Sequence, residues 1–144
     1  MMYSALLVAK QIIKYCNSQD YSVSNLKLQK LLYFVQAEFL VSTNNPCFPE
    51  EIEAWNFGPV VPVVYRKYKI YGSSSIPYVS NGVIGRISPA DQRIIYNIID
   101  ECGWYTAAQL VEISHNQTPW IKAYSPYRNN IISKKSIKDF FSED

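Results

Sequence analysis

Cysteine, glycine and histidine are scarce in this chain of 144 residues, which holds three, five and one of them. Cys16, Cys47 and Cys102 are odd in number and lack paired spacing. That excludes a disulfide framework and the cysteine-pair zinc sites, and it points to a reducing compartment. A zinc ion would need further soft ligands beyond His115 and three scattered thiols, so no metal is expected. The glycines build no phosphate cradle: Gly82-Val83-Ile84-Gly85 lacks both the spacing and the Lys-Ser/Thr ending of a P-loop, so no cofactor is expected either. Charge of one sign is missing too, because 14 Lys and Arg against 12 Asp and Glu leave a net charge of +2. So weak a field makes neither nucleic acid nor an anionic membrane the expected partner. Lys10 and Lys14 break the first apolar stretch well short of the ~20 residues of a membrane span. The stretch from Met1 to Ala9 has no basic leader. The expectation is a cytoplasmic protein that, lacking internal repeats or linkers, forms one domain over residues 1–144.

What is present is material for a core. Hydrophobic residues make up 48% of the chain, and at this length folding buries roughly 68–70% of the surface an unfolded chain exposes. Ala5, Val8, Ala9, Ile12, Ile13 and Cys16 recur at helical spacing. Ser24 caps a second, stronger pattern through Leu28, Leu31, Leu32, Val35 and Phe39, stopped by Asn44-Asn45-Pro46. Tyr33, Phe34 and Leu40 widen its stripe beyond one side, which places this helix at the centre. Glu51 to Phe57 reads as a short strand, and a helix is expected from about Val60 to Tyr71, ending at Gly72. Val83 to Ile87 is expected to pair with the strand near Ala54. Ser88-Pro89 starts a helix that buries Ile94, Ile95, Ile98, Ile99 and Cys102, and Gly103 is expected to take the left-handed position after it. Thr106-Ala107-Ala108-Gln109 matches a capping box. Thr118-Pro119 opens another helix, and Ser133 caps a last one that buries Ile137, Phe140 and Phe141. The fold class is therefore mainly α (α+β), a compact multi-helix domain with a small two-stranded β element.

Three groups of residues invite a chemical reading. His115, at the end of the Thr106 helix, suits a structural or interface role near the negative dipole end; as a general base it would make the chain a hydrolase or transferase. Glu50, Glu51 and Glu53 are adjacent acids of the kind that usually form a solvated face. Arg66, Lys67 and Lys69 interleave with Tyr65, Tyr68 and Tyr71, a combination that fits an acidic protein surface or, as an alternative, the phosphate backbone of a nucleic acid bound by a mobile-element regulator. The aromatic load of 15%, with 12 tyrosines, adds weight to partner binding, since these rings give contact area with a polar handle.

Three longer signatures carry a resemblance. They are Leu26-Lys27-Leu28-Gln29-Lys30-Leu31-Leu32-Tyr33, then Ile52 to Tyr65 with Ala54-Trp55-Asn56-Phe57-Gly58-Pro59-Val60 at its centre, then Leu110-Val111-Glu112-Ile113-Ser114-His115 followed by Pro119-Trp120. In order and spacing this resembles the Panacea domain, the SocA-like antitoxin family that also includes phage-associated proteins. The resemblance implies a mostly helical, non-enzymatic antitoxin that neutralises a toxin encoded nearby by direct binding, and it implies a similarity to adaptors that deliver a bound toxin to an ATP-dependent protease. It makes Lys27, Gln29, Lys30, Tyr33, Trp55, Gly58, Pro59, Val60, His115, Pro119 and Trp120 shared motif positions, which read physically as scaffold. A family that meets many toxins must vary its contact surface, so Tyr65, Arg66, Tyr68, Lys69 and Tyr71 are the candidate specificity residues.

Overall fold

A computed structural model describes residues 2–80 and 85–142. Helix α1 (Ala5–Ser18) begins where the Ser4 hydroxyl accepts from the Leu7 amide, and it buries the six residues whose spacing predicts it. Helix α2 (Asn25–Thr43) is capped by Ser24, which accepts from the Lys27 amide, and it ends as Asn44 turns left-handed at φ 61°. Neighbours cover α2 on more than one side: Leu28, Leu31, Leu32 and Val35 are fully buried, and so are Gln29, Lys30, Tyr33 and Gln36. It is the axis on which α1, the sheet and most later helices pack.

The β element has three strands. Strand β1 (Ile52–Trp55) pairs antiparallel with β2 (Gly58–Val60), with Trp55 opposite Gly58, and with β3 (Asn130–Ile132), with Glu53 opposite Ile131. Both sides of β1 are thus taken, which corrects the expected pairing with Val83 to Ile87. Gly85, Arg86 and Ile87 form no strand, and Val83 and Ile84 lie outside the described residues. The physical reason is proximity on one side, where only Asn56 and Phe57 separate β1 from β2, and a distant tail segment on the other.

Because Val60 is held in β2, helix α3 starts later than expected, at Pro62, and runs to Tyr68. A 3-10 turn over Lys69–Tyr71 follows and ends at Gly72. Helix α4 (Pro89–Cys102) opens on Ser88 accepting from the Asp91 amide; it buries Ile95 and Ile99 fully, with Ile94, Ile98 and Cys102 half-buried. Gly103 is not left-handed: its φ is −63°. Glycine stands there for space, since a Cβ would lie 2.6 Å from the Ile99 carbonyl and 2.9 Å from the Tyr21 ring.

Helix α5 (Ala107–His115) carries both hydrogen bonds of the capping box between Thr106 and Gln109. Helix α6 (Thr118–Ala123) has its proline in the first turn. Helix α7 (Lys134–Phe141) is capped by Ser133 and buries Ile137 alone, while Phe140 and Phe141 stay half-covered. Phe141 still packs edge-on against Tyr33 and Phe34 of α2, at 5.7 and 6.1 Å, so it reaches the rim of the core without being enclosed by it.

Candidate partner-binding surface

Most polar residues of α2 point inward and hold neighbouring segments, chiefly by their backbones. Asn25 donates to the Tyr65 carbonyl at 3.0 Å, Gln29 donates to Asn25 and accepts from the Val61 amide at 2.9 Å, and Lys30 donates to the Pro59 carbonyl at 2.9 Å. Lys27 donates to the Gly103 carbonyl, and Tyr33 donates to Gln117 at 2.7 Å. Gln36 spans the loop before β1, accepting from Cys47 and donating to the Phe48 carbonyl. Lone buried amides and amines would each be costly, so a row of matched pairs specifies how the strands, α3, α5 and α6 seat on α2.

Gly58 completes the arrangement. At φ 100°, with Lys30 Cε and Ser114 Oγ each 2.8 Å from where a Cβ would stand, it allows the β1–β2 turn to lie directly on α2 and α5. Burial lowers the Lys30 amine to about 7. Burial also lowers Lys27, which the nearby Cys16 and Cys102 oppose. In the same way it pushes the Cys16 and Cys102 thiols up to about 11 and the Cys47 thiol upward. The thiols stay protonated near neutrality, and none is an activated nucleophile.

His115 stacks on Trp120 with ring centroids 4.0 Å apart, and Trp120 stacks on Tyr124 at 4.5 Å. All three reach the β1–β2 turn. His115 Nε2 lies 3.0 Å from the Asn56 carbonyl, Trp120 Nε1 donates to the Trp55 carbonyl at 2.8 Å, and Tyr124 donates to the Asn56 side chain at 3.2 Å. A carbonyl accepts only, so His115 Nε2 must carry the hydrogen. Burial lowers the His115 pKa and the Lys30 charge adds to this, against the Asn56 hydrogen bond. Among the described residues no carboxylate, hydroxyl or thiol hydrogen-bonds to this ring, and Ser114 spends its hydroxyl on the Val111 carbonyl. The arrangement clamps a turn and leaves Phe57 at its tip, 57% exposed.

Glu50, Glu51 and Glu53 share no site. Glu50 accepts from the Ala5 amide, Glu51 pairs with Lys134 at 3.0 Å, and Glu53 accepts from Trp55 Nε1. Among the described residues no three of His, Cys, Asp and Glu gather as a metal site, and no helix is long and apolar enough to cross a membrane.

The basic and aromatic segment on α3 divides between core and surface. Tyr68 is 8% exposed and belongs to the core; Tyr65 lies edge-on to Trp55 at 5.0 Å, and Tyr71 tilts against Tyr68 at 6.4 Å. Arg66, Lys67 and Lys69 are exposed, and Ile70 stands out at 88% exposure. Sequence periodicity misses Ile70 because the 3-10 turn tightens the helix there and swings it outward. It also misses Asn25, Gln36, Asn56, Gln117 and Tyr124, polar or aromatic residues whose partners lie far away in sequence.

A family model described as Antitoxin SocA-like, Panacea domain, matches residues 28–121. The chain belongs to this family. The matched span of the Panacea domain runs from α2 through α6 and takes in Lys30, Tyr33, Gly58, His115 and Trp120. The chain is also 35% identical over 156 aligned residues to antitoxin SocA of Caulobacter vibrioides (strain NA1000 / CB15N), covering 95% of this chain and 81% of that protein. No solved structure matches it.

Proposed function

We propose that this Panacea-domain protein is a cytoplasmic antitoxin that neutralises a cognate toxin, encoded nearby, by direct protein–protein binding and without catalysis. The observation that carries the reading is the similarity to antitoxin SocA along 95% of the chain. The structure supports a binding role because the groups able to do chemistry are occupied as scaffold, while exposed cations and apolar side chains gather on and beside α3. Arg66, Lys69 and the accessible edges of Tyr65 and Tyr71 form the contact surface, with Tyr68 supporting them from the core. Delivery of the captured toxin to an ATP-dependent protease is a second step of the same reading, since it begins with the same contact.

The test is genetic. The neighbouring gene is induced alone and together with this protein, and growth is followed while the toxin's level is measured. Growth arrest alone and recovery together support neutralisation. A fall in toxin level that disappears in a strain lacking the protease supports delivery. A neighbour that is harmless when induced alone removes the reading.

A further inference from the structure

Two cavities lie along α1, and the smaller of them reaches the α3 surface. One, of about 670 Å³, opens between α1, the start of α4 and the chain before it; a smaller one, of about 180 Å³, lies between α1 and the 3-10 turn. Lys10 and Tyr78 line both, so the two lie side by side as neighbouring compartments of one cleft face. Ile13 and Ile87, both buried, give it an apolar floor. Its walls carry charge of one sign: Lys10, Lys14, Lys67 and Arg86 line it, and no Asp or Glu does among the described residues. Lys14, Lys67 and Arg86 are exposed, and no carboxylate among the described residues pairs with them. Lys14, Lys67 and Arg86, exposed along a concave surface, raise a positive potential there and draw an anionic partner. Beside them stand Ile70, 88% exposed, and Val79, 48% exposed, which need apolar cover.

We propose that this cleft is the docking groove for an acidic polypeptide segment, studded with apolar side chains, belonging to the toxin. Carboxylates of that segment meet Lys14, Lys67 and Arg86, and its apolar side chains cover Ile70 and Val79. Single-stranded nucleic acid fits the charge but not the rings. It needs aromatic faces on which to stack bases. Here Lys10 and Lys14 already sit over Tyr78, at 6.0 and 5.6 Å from its centroid, Tyr68 is buried, and Tyr71 tilts against Tyr68 and offers an edge. A small phosphate compound would satisfy the cations and leave Ile70 and Val79 bare. The toxin as source of the segment rests on the antitoxin reading; the groove's preference for an acidic, apolar peptide does not.

The full chain is titrated by fluorescence anisotropy with a labelled peptide of alternating Glu and Leu, with its Gln-for-Glu counterpart, and with a short single-stranded RNA. The variant Lys14→Glu/Arg86→Glu tests the cations, and Ile70→Ser tests the apolar rim. Lys122→Glu/Arg128→Glu, exposed and outside both cavities, is the control. All five are surface positions, and circular dichroism checks that each variant stays folded. The expected result is saturable binding of the acidic peptide that weakens roughly tenfold or more for the Gln peptide and for the Lys14/Arg86 variant, less for Ile70→Ser, and not for the control. No saturable binding, equal binding by the Lys14/Arg86 variant, or tighter binding of the RNA overturns the proposal. The same variants are then tested against the neighbouring gene's product. If Lys14→Glu/Arg86→Glu binds and neutralises that toxin like the parent, the groove is not the toxin's site and the antitoxin reading stands. If the peptide result holds while the neighbour neither poisons cells nor binds, the antitoxin reading falls and the groove's preference stands.

Discussion

Lys30→Met should remove a pH dependence of stability that the parent protein shows in mildly alkaline buffer. Lys30 is fully buried, its ammonium faces one carbonyl, and its pKa falls from 10.5 to about 7 because burial disfavours the charged form. In the unfolded chain the amine stays charged up to the usual lysine range. Between these two values the unfolded state therefore binds the extra proton, and stability rises with pH; it is lost again as pH falls toward the folded value. From about pH 7 to pH 8.5 the folded-to-unfolded ratio should grow roughly 16-fold, or about 2 kcal/mol. The buried thiols act in the opposite sense as pH climbs, because they resist ionising in the fold, and His115 contributes only on the acid side of this window. The thiols are common to parent and variant, and His115, whose shift the Lys30 charge influences, titrates below this window, so the difference across it isolates Lys30. Urea unfolding followed by tryptophan fluorescence at several pH values reads that difference directly. An equal slope in parent and Lys30→Met would refute the burial of a largely neutral amine beneath the β1–β2 turn.

Gly58→Ala should cost roughly 2 kcal/mol or more, since it adds strain at a positive φ to a clash with Lys30 and Ser114, and a thermal melt reads it. Trp120→Phe keeps a ring in the His115 stack but leaves the Trp55 carbonyl without its donor, so a loss of about 1 kcal/mol is expected in chemical denaturation. His115→Ala should lower stability by about 1 kcal/mol by deleting one hydrogen bond and one stacked ring while leaving growth rescue intact. Loss of rescue from a folded His115→Ala protein that still binds the toxin would point to chemistry at that ring instead.

The helix starts that a side chain caps are legible in the sequence because their physics is local. Ser4, Ser24, Ser88, Thr106 and Ser133 each accept from the amide three residues on. The centrality of α2 is legible too, from an apolar stripe too wide for one face. The sheet is not, for β1 takes one partner from a two-residue turn and the other, Asn130–Ile132, from the far end of the chain. No local pattern encodes that second pairing. Gly103 shows a subtler failure: glycine after a helix suggests a left-handed cap, whereas here the missing side chain makes room for Tyr21, a contact across the fold. The tyrosines of α3 fail in the same way. Their three-residue spacing puts them on one side of the helix, but only packing decides that Tyr68 turns into the core while Ile70 turns out. Likewise Lys27, Gln29 and Lys30 stand out as a motif, yet the carbonyls and amides they hold become visible only once the loops are in place. The cleft beside α3 draws on α1, α3 and the chain before α4, segments that no spacing rule brings together.

The most direct measurement is of binding itself. The purified chain and the purified product of the neighbouring toxic gene are mixed and followed by calorimetry and size-exclusion chromatography. Neutralisation by direct binding predicts a saturable complex that elutes together and whose affinity tracks growth rescue across surface variants. Rescue that persists with no complex at concentrations well above those in the cell would contradict it.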